Sequence, residues 1–520
     1  MARTFNTAGP CNAQGHYMLP PERRLPRVRE LALQGHYFVV HAPRQSGKTT
    51  LFRSLAERLV EEGRYAALLV SCERAQAAGG DVDRGIEAIL RTIEQRAERL
   101  PEALRPPRVE EALPMGGESA LAFYLARWAE RCPRPLVLFL DEVDALLDAT
   151  LVSVLRQLRE GFAERPSHFP AALALIGLRD VRDYRLEDRP ESAHLGTASP
   201  FNVKVESLRL PNFSAEEVGE LLGQHQQETG QIFERAARQR VFELTGGQPW
   251  LVNALAREAV ETLVPDRRQP ITDEVIEAAK KGLILRRETH LDSLVERLRE
   301  PRVRRILEPI LAGALLDPDP WHGDLEYVQD LGLVAAGPQG ISIANPIYQE
   351  IIPRALGAMI ESSLPSFEGP FIRPDESLDE KKMLAEFRRF WAENAEFFLE
   401  RSPYSEAAAQ IVFMAFLQRI VNGGGQVVRE YGVGRGRIDL LIRWPTPQGE
   451  QKWAIELKVW REGQKDPRPD GKKQLAAYLE RLSLEEGTLV VFDLRRQGKV
   501  SLPAEEEAQE ADKQLRVVVV

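Results

Sequence analysis

The chain has few of the residues that would place it in several large classes of protein. Its three cysteines, Cys11, Cys72 and Cys132, are odd in number and widely spaced, which excludes a disulfide framework and a Cys-x-x-Cys metal clip. No apolar run reaches the roughly 18 residues that a membrane-spanning helix needs. The first residues, MARTFNTAGPCNAQGHYMLPP, lack the apolar core of a secretory signal. A cytoplasmic protein with no membrane partner is therefore expected. The eight histidines fall into no His-Glu-x-x-His or other metal-ligand spacing, and no Ser/His/Asp set can be placed. Internal repeats and low-complexity tracts are absent. Positive charge is also short: the net charge is −9, which argues against coating nucleic acid by bulk electrostatics.

What is present is a chain of 520 residues, 43% hydrophobic and 28% charged. That is an ordinary globular composition, and the length is enough for roughly three or four domains. Charge is uneven: residues 423 to 482 hold twelve Lys/Arg against eight Asp/Glu, so any polyanion contact is expected there first.

From residue 20 the pattern alternates strand and helix. Strands are expected at 37–41, 65–71, 136–140, 172–177 and 202–208, with a helix at 48–62 and a mostly helical insertion before the third strand. Such alternation implies a parallel sheet covered on both faces. From 213 to about 290 the pattern is helical. Ser214 with Glu217 forms a capping box ahead of one helix, and Thr272 is expected to repeat the device in ITDEVIEAA. Residues 291–357 hold helices and a short hairpin, LGLVAAGPQGISIANP, that reads as a winged helix. SSLPSFEGPFIRPDESLDEK is the best linker. The expected division is an N-terminal segment 1–19, a core 20–210, a helical lid 211–290, the winged helix 291–357, a linker 358–379 and a C-terminal domain 380–520.

APRQSGKTT spans Ala42, Pro43, Arg44, Gln45, Ser46, Gly47, Lys48, Thr49 and Thr50, and fits a P-loop with Ala42 in place of the first glycine. Loop and helix N–H groups face phosphates, Lys48 supplies positive charge, and Thr49 supplies a hydroxyl for Mg²⁺. LVLFLDE is an apolar strand ending in Asp141 and Glu142, the Walker-B arrangement. There the aspartate holds the metal through its water shell and the glutamate polarises the attacking water. Because another strand follows Walker B, the sheet can insert it between the P-loop and Walker-B strands. Arg179, just beyond that strand, is either a γ-phosphate sensor or a surface ion pair. Together these motifs call for ATP and Mg²⁺.

These residues, with HYMLPP, FLDEVD, LIGLRDVRDYR and above all TGGQPWLVNALA, resemble the prokaryotic AAA-like ATPases related to archaeal-type and STAND ATPases, over about residues 15–355. The resemblance implies that Gly246, Gly247 and Pro249 shape a lid near the nucleotide and that residues around His16 and Tyr17 flank the adenine. It also leaves room for homo-oligomeric assembly.

In GRGRIDLLIRWPTPQGEQKWAIELKVW, two apolar strands carry charge. Alternation puts Glu456 and Lys458 on one face of the second strand and Trp453, Ile455, Leu457 and Val459 on the other. If the strands pair antiparallel, Asp439 and Glu456 converge, and two carboxylates side by side call for a hard cation such as Mg²⁺ or Mn²⁺. Lys458 would then orient or deprotonate a water, which is equipment for phosphodiester hydrolysis. Alternatively, Glu456 and Lys458 satisfy each other within a hairpin. The order Asp, then Glu-x-Lys, is similar to the PD-(D/E)XK nuclease superfamily over about residues 380–500. That resemblance implies further site residues, Glu406 near the start of PYSEAAAQIVFMAFLQRIVNGG and Gln474 in GKKQLAAYLERL. Ile438 stands where the name-giving proline would be.

The expected fold is thus multidomain α/β: a P-loop NTPase sheet with helical lid and winged helix, then an α/β PD-(D/E)XK nuclease-like domain. The expected function is an ATPase whose module controls a metal-dependent nuclease acting on DNA. The alternative is an ATP-dependent switch, or a DNA- or protein-binding regulator, with an inactive nuclease-like domain.

Overall fold

A computed structural model describes residues 3–178, 201–286, 296–311, 316, 323–337, 340–361, 371–401, 407–421, 426–428, 440–495 and 505–520. The chain divides into two compact units, residues 1–285 with 329–332, and residues 286–328 with 333–520.

The first unit is built on five parallel strands: β1 (Tyr37–His41), β2 (Ala66–Ser71), β3 (Leu136–Asp141), β4 (Ala172–Gly177) and β5 (Glu206–Arg209). Their order is β2-β3-β4-β1-β5, so β4 does lie between the P-loop strand β1 and the Walker-B strand β3. Strand β5 begins later than the expected 202–208, because only Glu206–Arg209 finds ladder partners along β1.

Strand alternation separates two apolar layers. Tyr37, Val39, Leu68, Val70, Leu138, Leu140, Leu173 and Leu175 pack with α3 (Val82–Ala97), α4 (Ala120–Arg131) and α5 (Asp148–Glu160). Phe38, Val40, Ala67, Val137, Phe139, Ala174 and Ile176 pack with α1 (Pro26–Leu33) and α2 (Lys48–Glu61). Covering both faces removes the sheet's apolar surface from water, at about 25 cal/mol per Å². It leaves the carboxyl ends of the strands as the place where polar side chains can gather.

The helical part of this unit comprises α6 (Ala215–Thr229), α7 (Arg235–Thr245), α8 (Pro249–Arg257) and α9 (Asp273–Arg286). Ser214 and Glu217 form the reciprocal capping box. Thr272 differs: its hydroxyl accepts from Val275 N–H at 3.4 Å, but the third helical position is valine, so the reciprocal capping box is not formed and the Glu274 carboxylate bonds the Thr272 side chain instead. Gly246 and Gly247 both have positive φ, +55° and +70°. A Cβ on Gly247 would lie 1.9 Å from the Phe213 carbonyl, so only glycine fits.

In the second unit, α10 (Pro301–Leu311), α11 (Gly323–Asp330), the two-stranded sheet β6 (Val334–Gly337) and β7 (Gly340–Ile343), and α12 (Pro346–Glu361) precede a larger sheet; the last two residues of α11 are assigned to the first unit. The expected hairpin is therefore present. The larger sheet has the order β12-β13-β11-β10-β9-β8, with β8 (Gln426–Val428), β9 (Leu440–Thr446), β10 (Gly449–Trp460), β11 (Glu486–Asp493), β12 (Glu505–Glu510) and β13 (Lys513–Val519). It is mixed: β10, β11 and β13 run parallel, and the other pairs are antiparallel.

One face, with Trp453, Ile455, Leu457, Val490 and Phe492, packs on α13 (Glu380–Arg401) and α14 (Ala408–Val421). The other, with Ala454, Trp460, Leu489 and Val491, packs on α15 (Arg468–Leu482). In the first part of the stretch expected to be a linker, residues 362–370 lie outside the described set. Beyond them, Ile372 bridges Leu378, and Trp444 Nε1 donates to the Glu376 carbonyl at 2.8 Å.

Candidate functional site

The loop after β1 turns into α2 through Gln45 and Gly47, both left-handed, at φ +58° and +96°. Its side chains occupy its own carbonyls. Lys48 Nζ donates to Ala42 and Pro43 at 2.6 and 2.9 Å, and Ser46 Oγ donates to Pro43 at 2.8 Å. Burial pulls the Lys48 ammonium down to about 8, against the pull of Asp141. Arg44 and Gln45 are exposed, and Ser46 is buried.

At the end of β3 the buried Asp141, 3% exposed, accepts from Thr49 Oγ1 at 2.6 Å and from the Glu142 N–H at 3.0 Å. The two expected metal ligands thus face each other. Both donate oxygen, the chemistry a hard cation such as Mg²⁺ selects, so this set fits the ion. Burial pushes the Asp141 carboxyl up, and the Thr49 hydroxyl opposes that shift.

Glu142 sits at φ +57°, a conformation that costs a non-glycine residue on the order of 1–3 kcal/mol and clusters at functional sites. Its Oε2 accepts from Ser71 Oγ at the end of β2. Burial raises the Glu142 carboxyl and Ser71 lowers it. Sequence patterns did not single out Ser71. Its signal was available only once β2 and β3 were known to be neighbours, with Ser71 beside Asp141 in register.

Thr50 Oγ1 accepts from the Cys11 N–H at 3.1 Å, which places the N-terminal segment beside α2. Tyr17 is 1% exposed, packed on Phe5 and His225, with its hydroxyl 3.2 Å from His225 Nδ1. It is a core residue. Pro249 is buried at the first position of α8, where Gln248 caps the helix by accepting from Leu251 N–H at 2.6 Å. Arg179 lies outside the described residues.

In the second unit the β9–β10 hairpin forms as expected, antiparallel, with Thr446 opposite Gly449 and Leu440 opposite Ile455. Glu456 is fully buried, and its Oε1 accepts from Lys458 Nζ at 2.7 Å. The same ammonium donates to Gln474 Oε1 on α15 at 2.5 Å. Three of the expected residues are therefore one connected group. The contact depends on Gly471: a Cβ there would lie 2.8 Å from Leu489 Cδ1 and 3.3 Å from Lys458 Cγ. With glycine, α15 approaches the sheet closely enough for Gln474 to reach Lys458.

Asp439 and Glu406 lie outside the described residues. Among the described residues, no group of three or more His, Cys, Asp or Glu side chains is placed to hold a metal, and no helix is long and apolar enough to cross a membrane. Glu456 offers carboxylate oxygen inside the fold, which fits a hard cation.

Comparison with known proteins finds two families. A family model described as an AAA-like domain matches residues 14–350, and one for the PD-(D/E)XK nuclease superfamily matches residues 404–493. No curated protein matches the chain by sequence. Among solved structures, the Walker-type ATPase PABY2304 of Pyrococcus abyssi is similar at 15% identity and a TM-score of 0.43, covering 66% of this chain and 98% of its own. Cdc6p from Pyrobaculum aerophilum is similar at 16% identity and a TM-score of 0.35, covering 69% and 98%. The Thermotoga maritima RuvB Holliday junction branch migration motor is similar at 15% identity and a TM-score of 0.33, covering 63% and 92%.

Proposed function

Because this chain belongs to the AAA-like domain family and ends in a domain of the PD-(D/E)XK nuclease superfamily, we propose that its ATP-binding module controls a metal-dependent nuclease acting on DNA. The observation that carries the reading is the connected Glu456–Lys458–Gln474 group, in a chain that also pairs Thr49 with Asp141 beside Glu142.

In the first unit, Lys48 would neutralise phosphate charge, Thr49 and Asp141 would hold Mg²⁺, and Glu142 would polarise the attacking water. Arg179 serves the γ-phosphate, and Pro249 sets the start of the lid helix. In the second unit, Asp439 and Glu456 would hold Mg²⁺ or Mn²⁺, with Glu406 as an additional carboxylate. Bound there, the ion supplies charge to polarise a phosphodiester and to acidify a water. Lys458, held as an ammonium by Glu456 and Gln474, would orient that water through its N–H groups, and the water's proton would leave to solvent. The basic stretch 423–482 supplies the phosphate-backbone contacts, and cytoplasmic DNA is the substrate. The 291–357 segment acts as a winged helix that presents it.

The test is cleavage of plasmid and linear DNA by the purified full chain in Mg²⁺, with and without ATP. Asp439→Ala and Glu456→Ala should abolish cutting and leave ATP binding intact. Unchanged cutting by both variants would overturn the nuclease assignment. Sedimentation with and without ATP tests homo-oligomeric assembly.

A further inference from the structure

Arg24, the last residue of the 3-10 turn Pro21–Arg24 ahead of α1, is not part of any motif, yet its guanidinium lies against the P-loop. Nη1 donates to the Ser46 carbonyl at 2.8 Å, and Nη2 donates to the Pro211 carbonyl at 2.6 Å. The group stacks over the Phe213 ring at 4.5 Å. Its Nε is buried with no hydrogen-bond partner among the described residues. Burial pulls this arginine down to about 10, so it is held at some cost in desolvation. A Cβ on Gly47 would sit 2.8 Å from Arg24 Nη1, so Gly47 leaves the room that Arg24 occupies.

Two consequences follow from peptide geometry. The Ser46–Gly47 peptide is planar, so its C=O and N–H point in opposite directions. Holding the Ser46 carbonyl toward Arg24 therefore turns the Gly47 N–H away from it, and P-loop N–H groups are what bind phosphate. A charged donor on that carbonyl also polarises the peptide and strengthens its N–H as a donor.

The second consequence concerns the lid. Pro211 and Phe213 lead into α6, and Phe213 N–H donates to the Gly247 carbonyl at 2.8 Å, while Asn212 Nδ2 donates to Gly246 at 3.0 Å. Gly247 in turn touches the Phe213 carbonyl too closely for any side chain. Every link from Ser46 through Arg24 to the turn that starts α8 is a hydrogen bond to backbone, a ring stack or a tight steric contact.

We propose that Arg24 is a positioning residue for the nucleotide: it sets the Ser46–Gly47 peptide for phosphate binding and joins that peptide to the lid turn at Gly246–Gly247. The proposal rests on the reading that the P-loop binds ATP. Titration of the full chain with a fluorescent ADP, paired with hydrogen exchange, separates the two. If the wild type binds no ADP, the ATP reading itself fails. If it binds, Arg24→Met should weaken ADP binding about tenfold, the loss of one charge-assisted hydrogen bond. At saturating ADP the variant should protect the P-loop amides but no longer those of residues 247–251. Arg24→Lys, which can make one of the two bonds but not both, should restore part of the affinity and not the lid protection. A residue that only supports the fold would lower the melting temperature and leave both readouts at wild-type values in the folded protein. Wild-type affinity with lid protection retained in either variant overturns the proposal.

Discussion

The two sites solve the problem of placing charge in opposite ways. The P-loop site stands where parallel strands end, and much of its equipment is backbone: a left-handed Gly47, a helix start at Lys48, and carbonyls taken up by Lys48 and Arg24. The nuclease-like site lies within β10, under α15, where the Lys458 ammonium bonds both a fully buried Glu456 and Gln474. Function at the first site should therefore be separable from stability, whereas at the second a lost side chain should cost both. Backbone anion sites tolerate side-chain loss, but removing one partner of a buried ion pair leaves the other charge stranded.

The largest expected effect is at Glu456. Glu456→Ala should destabilise the second unit by about 3 kcal/mol, the lower end for a broken buried pair because Lys458 keeps partial exposure, and should end DNA cutting. Urea denaturation followed by tryptophan fluorescence reads the first effect. A double variant, Glu456→Ala with Lys458→Met, should regain part of that stability with no cutting; equal stability of single and double variants would erase the contrast between the sites.

Gly471→Ala comes next. A methyl group driven toward Leu489 should cost about 1–3 kcal/mol and move Gln474 off Lys458, so cutting falls even at temperatures where the variant is folded. Wild-type cleavage by this variant would show that the Gln474 contact is dispensable.

At the P-loop the expectation is reversed. Lys48→Met should abolish ATP binding while leaving the fold intact, and it should alter the pH dependence of stability. The folded-state value, about 8, lies below the ordinary lysine value of 10.5, so the unfolded chain holds more protons between them. Stability of the wild type should therefore rise as pH goes from about 8 toward 10.5 through this group, and the variant should lack that component of the slope. Parallel thermal melts of the two proteins across that window provide the comparison.

The smallest effect belongs to Ser71. Its hydrogen bond holds the Glu142 carboxyl down against burial, so Ser71→Ala should move the acid limb of the ATP hydrolysis profile to higher pH with little change in melting temperature. An unmoved limb would remove Ser71 from the account.

What was legible in the sequence was local: which residues share a strand face or a loop. P-loop, Walker B and Glu-x-Lys are short segments whose spacing along one element already dictates their geometry. The position of β4 between β1 and β3 was also legible, because a strand following Walker B has few other places to pair. What escaped were contacts between segments far apart in the chain. Ser71 meets Glu142, Arg24 meets Ser46, and Gly471 makes room for Gln474 only through pairings that no local pattern encodes. The enclosure of Tyr17 by Phe5 and His225 is a contact of the same long-range kind. Asp439, Glu406 and Arg179 lie outside the described residues, and their roles rest on sequence order and resemblance.

The central claim is that the ATP site governs the nuclease site, and one assay addresses it most directly: the rate of plasmid cleavage in Mg²⁺ as a function of ATP, for wild type and Lys48→Ala side by side. The account predicts that cleavage by the wild type changes with ATP, that Lys48→Ala cleaves at a rate ATP does not alter, and that Glu456→Ala cleaves in neither condition. Cleavage by the wild type that is indifferent to ATP, or an ATP response preserved in Lys48→Ala, would contradict it.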